Sequence, residues 1–385
     1  MRDIDGILNT GVPVLIFILI LGLVVFVHEF GHYIMARRCG IFVEEFAMGM
    51  GPKILAFKGK KKSANPKEGE EDVTLYTLRL LPLGGFCKMR GMEENIPNDS
   101  ESMGNKSVFD RILVIVGGST MNFLLALVIF AFLNFLSGYN TPTISYIVDH
   151  MPAQQAGLQV GDRITHINGS RVSLWDNFLF VRDMNGGNPM NMRVIRDGQR
   201  INLTAIPVPV SDGEYRIGLL PTFKVGRLTS IPEDIVNYER AGIWGSFTTS
   251  VEMIGFHIRT PFRLLARFVS RQPVPEGVGV QSIIGIGAQV TEIYQTTIQF
   301  EEYAVRATVL TMLFLAGFIS VAIGTMNLLP IPALDGARLV FLVIEGIRRK
   351  PVSQEREGMV HFVGFVILMI LLVVVVYRDI VNLLS

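Results

Sequence analysis

Cysteine, tryptophan and charge are all scarce in this sequence. The two cysteines in 385 residues, Cys39 and Cys87, stand in no CxxC spacing and beside no Cys/His cluster. That argues against a disulfide framework or a cysteine-based zinc site and leaves both as small apolar residues. Charged residues make up only 18% of the chain, against roughly a quarter in soluble globular proteins. Neither sign dominates, because 35 Lys and Arg face 34 Asp and Glu for a formal net charge of +1. Nothing here selects nucleic acid or an acidic partner. What is plentiful is apolar: 49% of residues are hydrophobic and the mean hydropathy is +0.41. This is a membrane composition diluted by soluble material.

Four stretches are long and apolar enough for a bilayer, which takes about 20 residues of helix. They lie near 12–36, 111–137, 304–329 and 359–378. The first is too long for the core of a signal peptide and lacks a small-residue cleavage site, so it reads as retained. Arg37, Arg38, Lys53, Lys58 and Lys60-Lys61-Lys62 follow the first span, and Arg348-Arg349-Lys350 separate the third from the fourth. The positive-inside rule puts those loops in the cytoplasm, and both termini and the stretch between spans two and three outside.

The remaining segments divide by composition. Residues 63–72 are a charged loop, and residues 73–92 have strand character broken by Pro82 and Gly84-Gly85, which predicts a β-hairpin near the membrane. Residues 141–222 read as a soluble domain of short strands and glycine turns. Residues 223–303 follow as a linker to the membrane, with an amphipathic helix expected along the membrane surface around Trp244–Val269.

The strongest chemical signal is His28-Glu29-Phe30-Gly31-His32 in the first span. Positions i and i+4 share one helix face, so both imidazoles can bind one metal. Glu29 beside them can take a proton from water activated by that metal. Such residues are costly inside an apolar span and are kept there for a task. The alternative places the motif at a solvated cytoplasmic helix end. A catalytic zinc needs three protein ligands and an open position. A candidate third is Asp335, in Asn327-Leu-Leu-Pro-Ile-Pro-Ala-Leu-Asp335-Gly336. Pro330 and Pro332 break the helix there. Broken backbone at membrane depth belongs in a buried or wet site. Alternatively, Asp335 merely caps the next helix.

HEFGH in a first span with NLLPIPALDG closing a later one resembles the site-two protease family of intramembrane zinc metalloproteases. Within it the chain is most similar to the bacterial branch of regulated intramembrane proteolysis, with a single PDZ domain. The resemblance covers nearly the whole chain. It implies an α-helical membrane protein of four transmembrane helices with a membrane-associated β-hairpin and an inserted extracytoplasmic α+β PDZ domain. Residues 1–137 and 304–385 would form the membrane core of a bacterial inner-membrane protein, with its active site near the cytoplasmic side. His28, His32 and Asp335 would hold Zn2+, Glu29 would be the general base, and Asn327 would steady substrate or an oxyanion. Gly118-Ser-Thr-Met-Asn122 resembles the family's GxxxN element, read as packing for Gly118 and left open for Asn122. Leu81–Gly91 resembles its re-entrant hairpin, whose strand edge could pair with an unwound substrate.

Met151–Gly169 resembles a PDZ core that would offer a groove to an extended peptide or exclude bulky substrates. It lacks a Gly-Leu-Gly-Phe carboxylate loop, which weighs against capture of a free C-terminus. His150, His166, His257 and His361 have no ligand spacing and read as structural. Two departures stand out. Asp335-Gly336 is followed by Ala337 rather than a second glycine, and Val280–Gly287 only faintly echoes the family's glycine-rich element. The implied activity is cleavage of single-span membrane proteins, of anti-sigma factor or signal-peptide type. A non-catalytic scaffold recruiting partners through the PDZ domain is the alternative. A metal transporter would spread ligands through several spans, and here they form one compact set.

Overall fold

A computed structural model of the chain describes residues 11–64, 73–92, 96–211, 214–229, 239–271, 291 and 304–384. The chain divides into two compact units, Met1–Ala126 with Val280–Ser385, and Leu127–Gly279. The expected echo at Val280–Gly287 and most of the charged loop at 63–72 lie outside the described residues.

Among the described residues of the whole chain, four helices are long and apolar enough to cross a membrane, as the hydropathy predicts. They are α1 (Val12–Arg38), α2 (Val108–Ser137), α6 (Ala304–Leu328) and α8 (Gln354–Leu384). α1 and α2 run two and three residues past their predicted apolar cores, α8 more than a turn past its own at each end, and α6 coincides to within a residue, because polar residues flanking an apolar run still complete helical hydrogen bonds. In the first unit, glycines set how closely α1 and α2 approach. A Cβ on Gly31 would lie 2.2 Å from the Gly117 carbonyl oxygen, and one on Gly117 would lie 2.9 Å from that of Gly31. Small residues at a helix crossing allow backbone-to-backbone contact in lipid. A core of Phe17, Val24, Met312 and Ile319 joins α1 to α6. Helix α8 is the least enclosed, with only 6% of its most apolar window buried.

Between α1 and α2 the sheet exceeds the predicted hairpin. β1 (Val43–Lys62) and β2 (Val73–Met89) pair antiparallel, and each folds back on itself. Residues 45–48 pair both with 75–78 and with 85–88, while 55–58 pair on the outer side of 75–78. The result is a four-segment sheet with 85–88 along one edge. Gly49 (φ +86°) and Gly84 (φ +81°) supply the left-handed bends that the reversals need. The strand character of residues 43–62 escaped the sequence reading because Gly49, Gly51, Pro52 and the lysines disguise it. Met50, Ile54, Phe57, Leu80 and Leu81 stay exposed on this sheet.

The second unit begins within α2 and contains β3 (Gly138–Ile147), α3 (Pro152–Gln155), β4 (Arg163–Ile167), β5 (Ser170–Arg171), α4 (Trp175–Asn185), β6 (Met190–Arg196) and β7 (Gln199–Ala205). β8 (Val208–Ser211), β9 (Glu214–Arg216) and β10 (Leu219–Val225) follow. The main sheet runs β10-β3-β4-β6-β7, with β5 on β4. Asn168 (φ +47°) and Gly169 (φ +79°) make the two-residue turn between β4 and β5, the left-handed pair that Asn-Gly favours. Met190, Met192 and Val194 enter the core from alternate positions of β6, and Ile144, Ile164 and Ile167, with Phe178 of α4, fill the rest. Inside it Asp162 accepts bonds from Arg196 Nε and Nη2, both at 2.7 Å, and from the Gln159 N–H.

α5 (Ile243–Val269) carries Trp244, Phe247, Val251, Phe262, Leu265 and Val269 exposed along one stripe. Its other side docks antiparallel on the last turns of α2. There Asn134 Nδ2 donates to Ser250 Oγ at 2.9 Å, and the Phe130 and His257 rings are 6.2 Å apart.

Candidate metal centre

One turn of α1 brings His28 and His32 onto the face that meets α2, while Glu29, about 100° further round the helix, faces the sheet. Asp335 arrives from the far end of the chain. Helix α6 ends at Leu328, and a tight loop leads to α7 (Asp335–Arg348). Pro330 and Pro332 forbid a continuous helix, and Ala333 turns in the left-handed region (φ +76°). Asp335 is the first residue of α7, but Leu334 is the N-cap and no side chain caps this helix, so the capping alternative does not describe Asp335. Gly336 is required for space: a Cβ there would lie 2.0 Å from the Leu329 carbonyl oxygen.

These paths converge at three atoms. His28 Nε2 lies 3.2 Å from Asp335 Oδ2 and 3.2 Å from His32 Nε2, and His32 Nε2 lies 3.1 Å from Asp335 Oδ2. Ligands at about 2.0–2.1 Å from a tetrahedral zinc ion stand roughly 3.3 Å apart. The donor set therefore fits zinc in both chemistry and span. Both histidines are 5% exposed, which is dry enough to need a partner for every polar atom. His32 Nδ1–H donates to the Val114 carbonyl oxygen at 2.8 Å, which leaves Nε2 with its lone pair toward the cluster. Gly118 clears the way: a Cβ on it would lie 2.5 Å from His32 Nε2 and 2.8 Å from His28 Nε2. It therefore packs, as read from the sequence, and it packs against the histidines themselves.

Glu29 is half-buried and accepts a hydrogen bond from the Cys87 backbone N–H. Its Cγ lies 3.3 Å from where a Cβ on Gly85 would stand. The edge segment 85–88 thus runs beside the acid. All four residues line one cavity of about 970 Å³, together with Asn327 and Phe86. Cys87 is buried in the same wall, consistent with its reading as a small apolar residue.

Three residues of the cavity wall were not placed there from the sequence, although His361 was read as structural. His361 of α8 accepts the Ala333 N–H through Nδ1 at 2.9 Å, holding the loop before Asp335 from the fourth span. Glu44 and Arg338 line the wall as well. No local spacing marks any of them. His361 is the one that a polar residue in an apolar run could have flagged.

A model of peptidase family M50 matches residues 16–371. The chain belongs to peptidase family M50, the site-two proteases. As a member it is a zinc metalloprotease of the membrane, and relatives along the full length agree. A Clostridium acetobutylicum protein with a provisional zinc metalloprotease name is 32% identical over 370 residues, covering 96% of this chain and 97% of that protein. The zinc metalloprotease RasP of Bacillus licheniformis is 30% identical, over 95% of this chain and 98% of its own. The regulator of sigma-W protease RasP of Bacillus subtilis is 29% identical, again over 95% of this chain and 98% of its own. M50 membership accounts for the apolar helices around a buried donor set.

Proposed function

We propose that this M50 protease cuts the transmembrane segments of single-span membrane proteins, with His28, His32 and Asp335 holding zinc and Glu29 as general base. The observation that carries the reading is the meeting of these four residues in one cavity walled by apolar helices and by the strand edge at 85–88. When bound there, zinc would polarise the scissile carbonyl and make water acidic enough to lose a proton near neutral pH. Glu29 takes that proton and later returns it to the leaving amine. Asn327, in the cavity wall, offers an amide donor to the developing oxyanion.

A helical substrate hides its scissile amide within its own hydrogen bonds. The edge of 85–88 offers replacement bonds to an unwound segment, and the exposed apolar residues of the sheet suit a place in lipid. The sheet of β3–β10, with its Asn-Gly turn, supports reading 141–222 as a PDZ domain for an extended peptide or for excluding bulky substrates. Basic residues after α1 and after α7 support cytoplasmic loops there and outward-facing termini and PDZ domain. The name of the Bacillus subtilis relative supports substrates of the anti-sigma factor type. Signal-peptide remnants are the other class that the resemblance suggests.

The test is cleavage of a tagged single-span reporter with a short ectodomain, co-expressed with wild type or Glu29→Gln. The expected product appears with wild type and is lost in the variant, whose zinc content stays unchanged. Equal product from both would remove Glu29 as the base and favour a scaffold assisting another protease.

A further inference from the structure

Asn122 could serve packing or the site, and its surroundings separate the two roles. The residue is fully buried in α2. Its backbone carbonyl accepts a bond from Ser320 Oγ at 2.8 Å, which ties α2 to α6 and fixes where the side chain stands. The amide nitrogen Nδ2 lies 3.2 Å from His28 Nδ1, and Oδ1 is buried with no hydrogen-bond partner. A neutral imidazole has one N–H and one lone pair. Where Nε2 of His28 turns its lone pair toward His32 and Asp335, Nδ1 carries the proton and needs an acceptor. His32 shows the same division, with the Val114 carbonyl as its acceptor. An amide with Nδ2 forward would set donor against donor and strand Oδ1. A carboxamide has the same shape either way round, so a half-turn brings Oδ1 to Nδ1 and gives that proton its acceptor.

We propose that Asn122 is a positioning residue whose Oδ1 accepts the Nδ1 proton of His28, fixing the tautomer and ring plane that present Nε2 to the metal. This rests on the reading of His28, His32 and Asp335 as ligands. Asn122 acts through His28 and touches no substrate. A partner of this kind sets ligand orientation and basicity, and its loss weakens metal binding by roughly 10–100-fold. The acceptor matters here, and the size alone does not. Leu matches Asn in bulk without an acceptor, whereas Asp keeps one.

The experiment measures zinc stoichiometry and competition with a chelator on the full chain purified in detergent, for wild type, Asn122→Leu and Asn122→Asp. Thermal midpoints are recorded alongside. The expected result is zinc held about 10–100-fold more weakly by Asn122→Leu and close to wild-type binding by Asn122→Asp, at similar midpoints. Equal weakening in both variants would overturn the acceptor role in favour of packing, and no weakening in Asn122→Leu would overturn it outright. If Asn122→Leu fails to fold, Asn122→Asp decides alone: retained zinc supports the proposal and lost zinc sinks it. A His28→Ala control separates the two readings. Zinc kept by that variant would remove the ligand assignment itself, whereas zinc lost there but unchanged in Asn122→Leu would remove only the role of Asn122.

Discussion

Each residue of the candidate metal site depends on an atom that another residue does not have. Gly118 makes this plain, because hydrogen in place of a methyl lets α2 lie against both imidazoles. Gly118→Ala is expected to lose zinc while the chain still inserts in the membrane. Metal analysis of the purified variant checks this, and full zinc occupancy would show that the helices can part without cost. Substituting His32 or Asp335 by Ala should likewise empty the site. Removal of zinc by a chelator should abolish cleavage, with recovery on adding zinc back. Glu29→Gln is expected to lower kcat about 10²–10⁴-fold, the usual worth of a general base. His28, Glu29 and His32 were legible in the sequence because helical spacing alone puts them together. Glu44, Arg338 and His361 were not, since only distant chain crossings make them neighbours.

At the scale of elements, the sheet of β1 and β2 departed most from expectation, and it does so beside the acid. Gly85 stands where a Cβ would lie 2.9 Å from the Ala47 carbonyl oxygen and 3.3 Å from Glu29 Cγ. Gly85→Ala should therefore slow reporter cleavage with zinc content intact, read as a lower kcat at unchanged metal stoichiometry. Unaltered turnover would detach the edge strand from the reaction. The sheet of the second unit carries its own acid sensitivity. Burial alone would raise the Asp162 carboxyl, but the Arg196 guanidinium and the Gln159 N–H hold it below the usual range. A lowered folded pKa means that its stabilisation is whole above about 3.9 and is lost as pH falls through the folded value. Burial pushes His257 in α5 down to about 4. The unfolded imidazole binds its proton near pH ~6.5, so stability due to His257 already declines between about 6.5 and 4. Limited proteolysis of the full chain against pH should show both steps within residues 127–279. Asp162→Asn should flatten the lower step and His257→Phe the upper one, and a profile unchanged by either substitution would contradict the assignment.

For the molecule as a whole, charge decides orientation and apolar length decides the number of crossings. Arg37, Arg38 and the lysines of β1 sit on one side of the first crossing, and Arg348 ends α7 with Arg349 and Lys350 following it before α8. Single cysteines placed at position 61 and at position 349 in a cysteine-free background are expected to react with an impermeant maleimide only after inside-out vesicles are prepared. One at position 200, in β7, should react in intact cells stripped of their outer barrier. The reverse pattern would invert the topology and with it the side to which products are released.

The sequence by itself determined the helical spans, the pairing of His28 with His32 and membership of the family. Each of these is local, a matter of residues within a few turns or of a fixed order of motifs. Only the tertiary structure decided that Asp335 meets the two histidines at 3.1–3.2 Å, that β1 and β2 fold into a four-segment sheet against Glu29, and that Asn122 faces His28. The physical reason is that contacts between distant segments depend on where helices cross and strands pair. Those positions are set by glycine clearances and by the pairing of buried polar atoms, neither of which any single stretch of sequence displays.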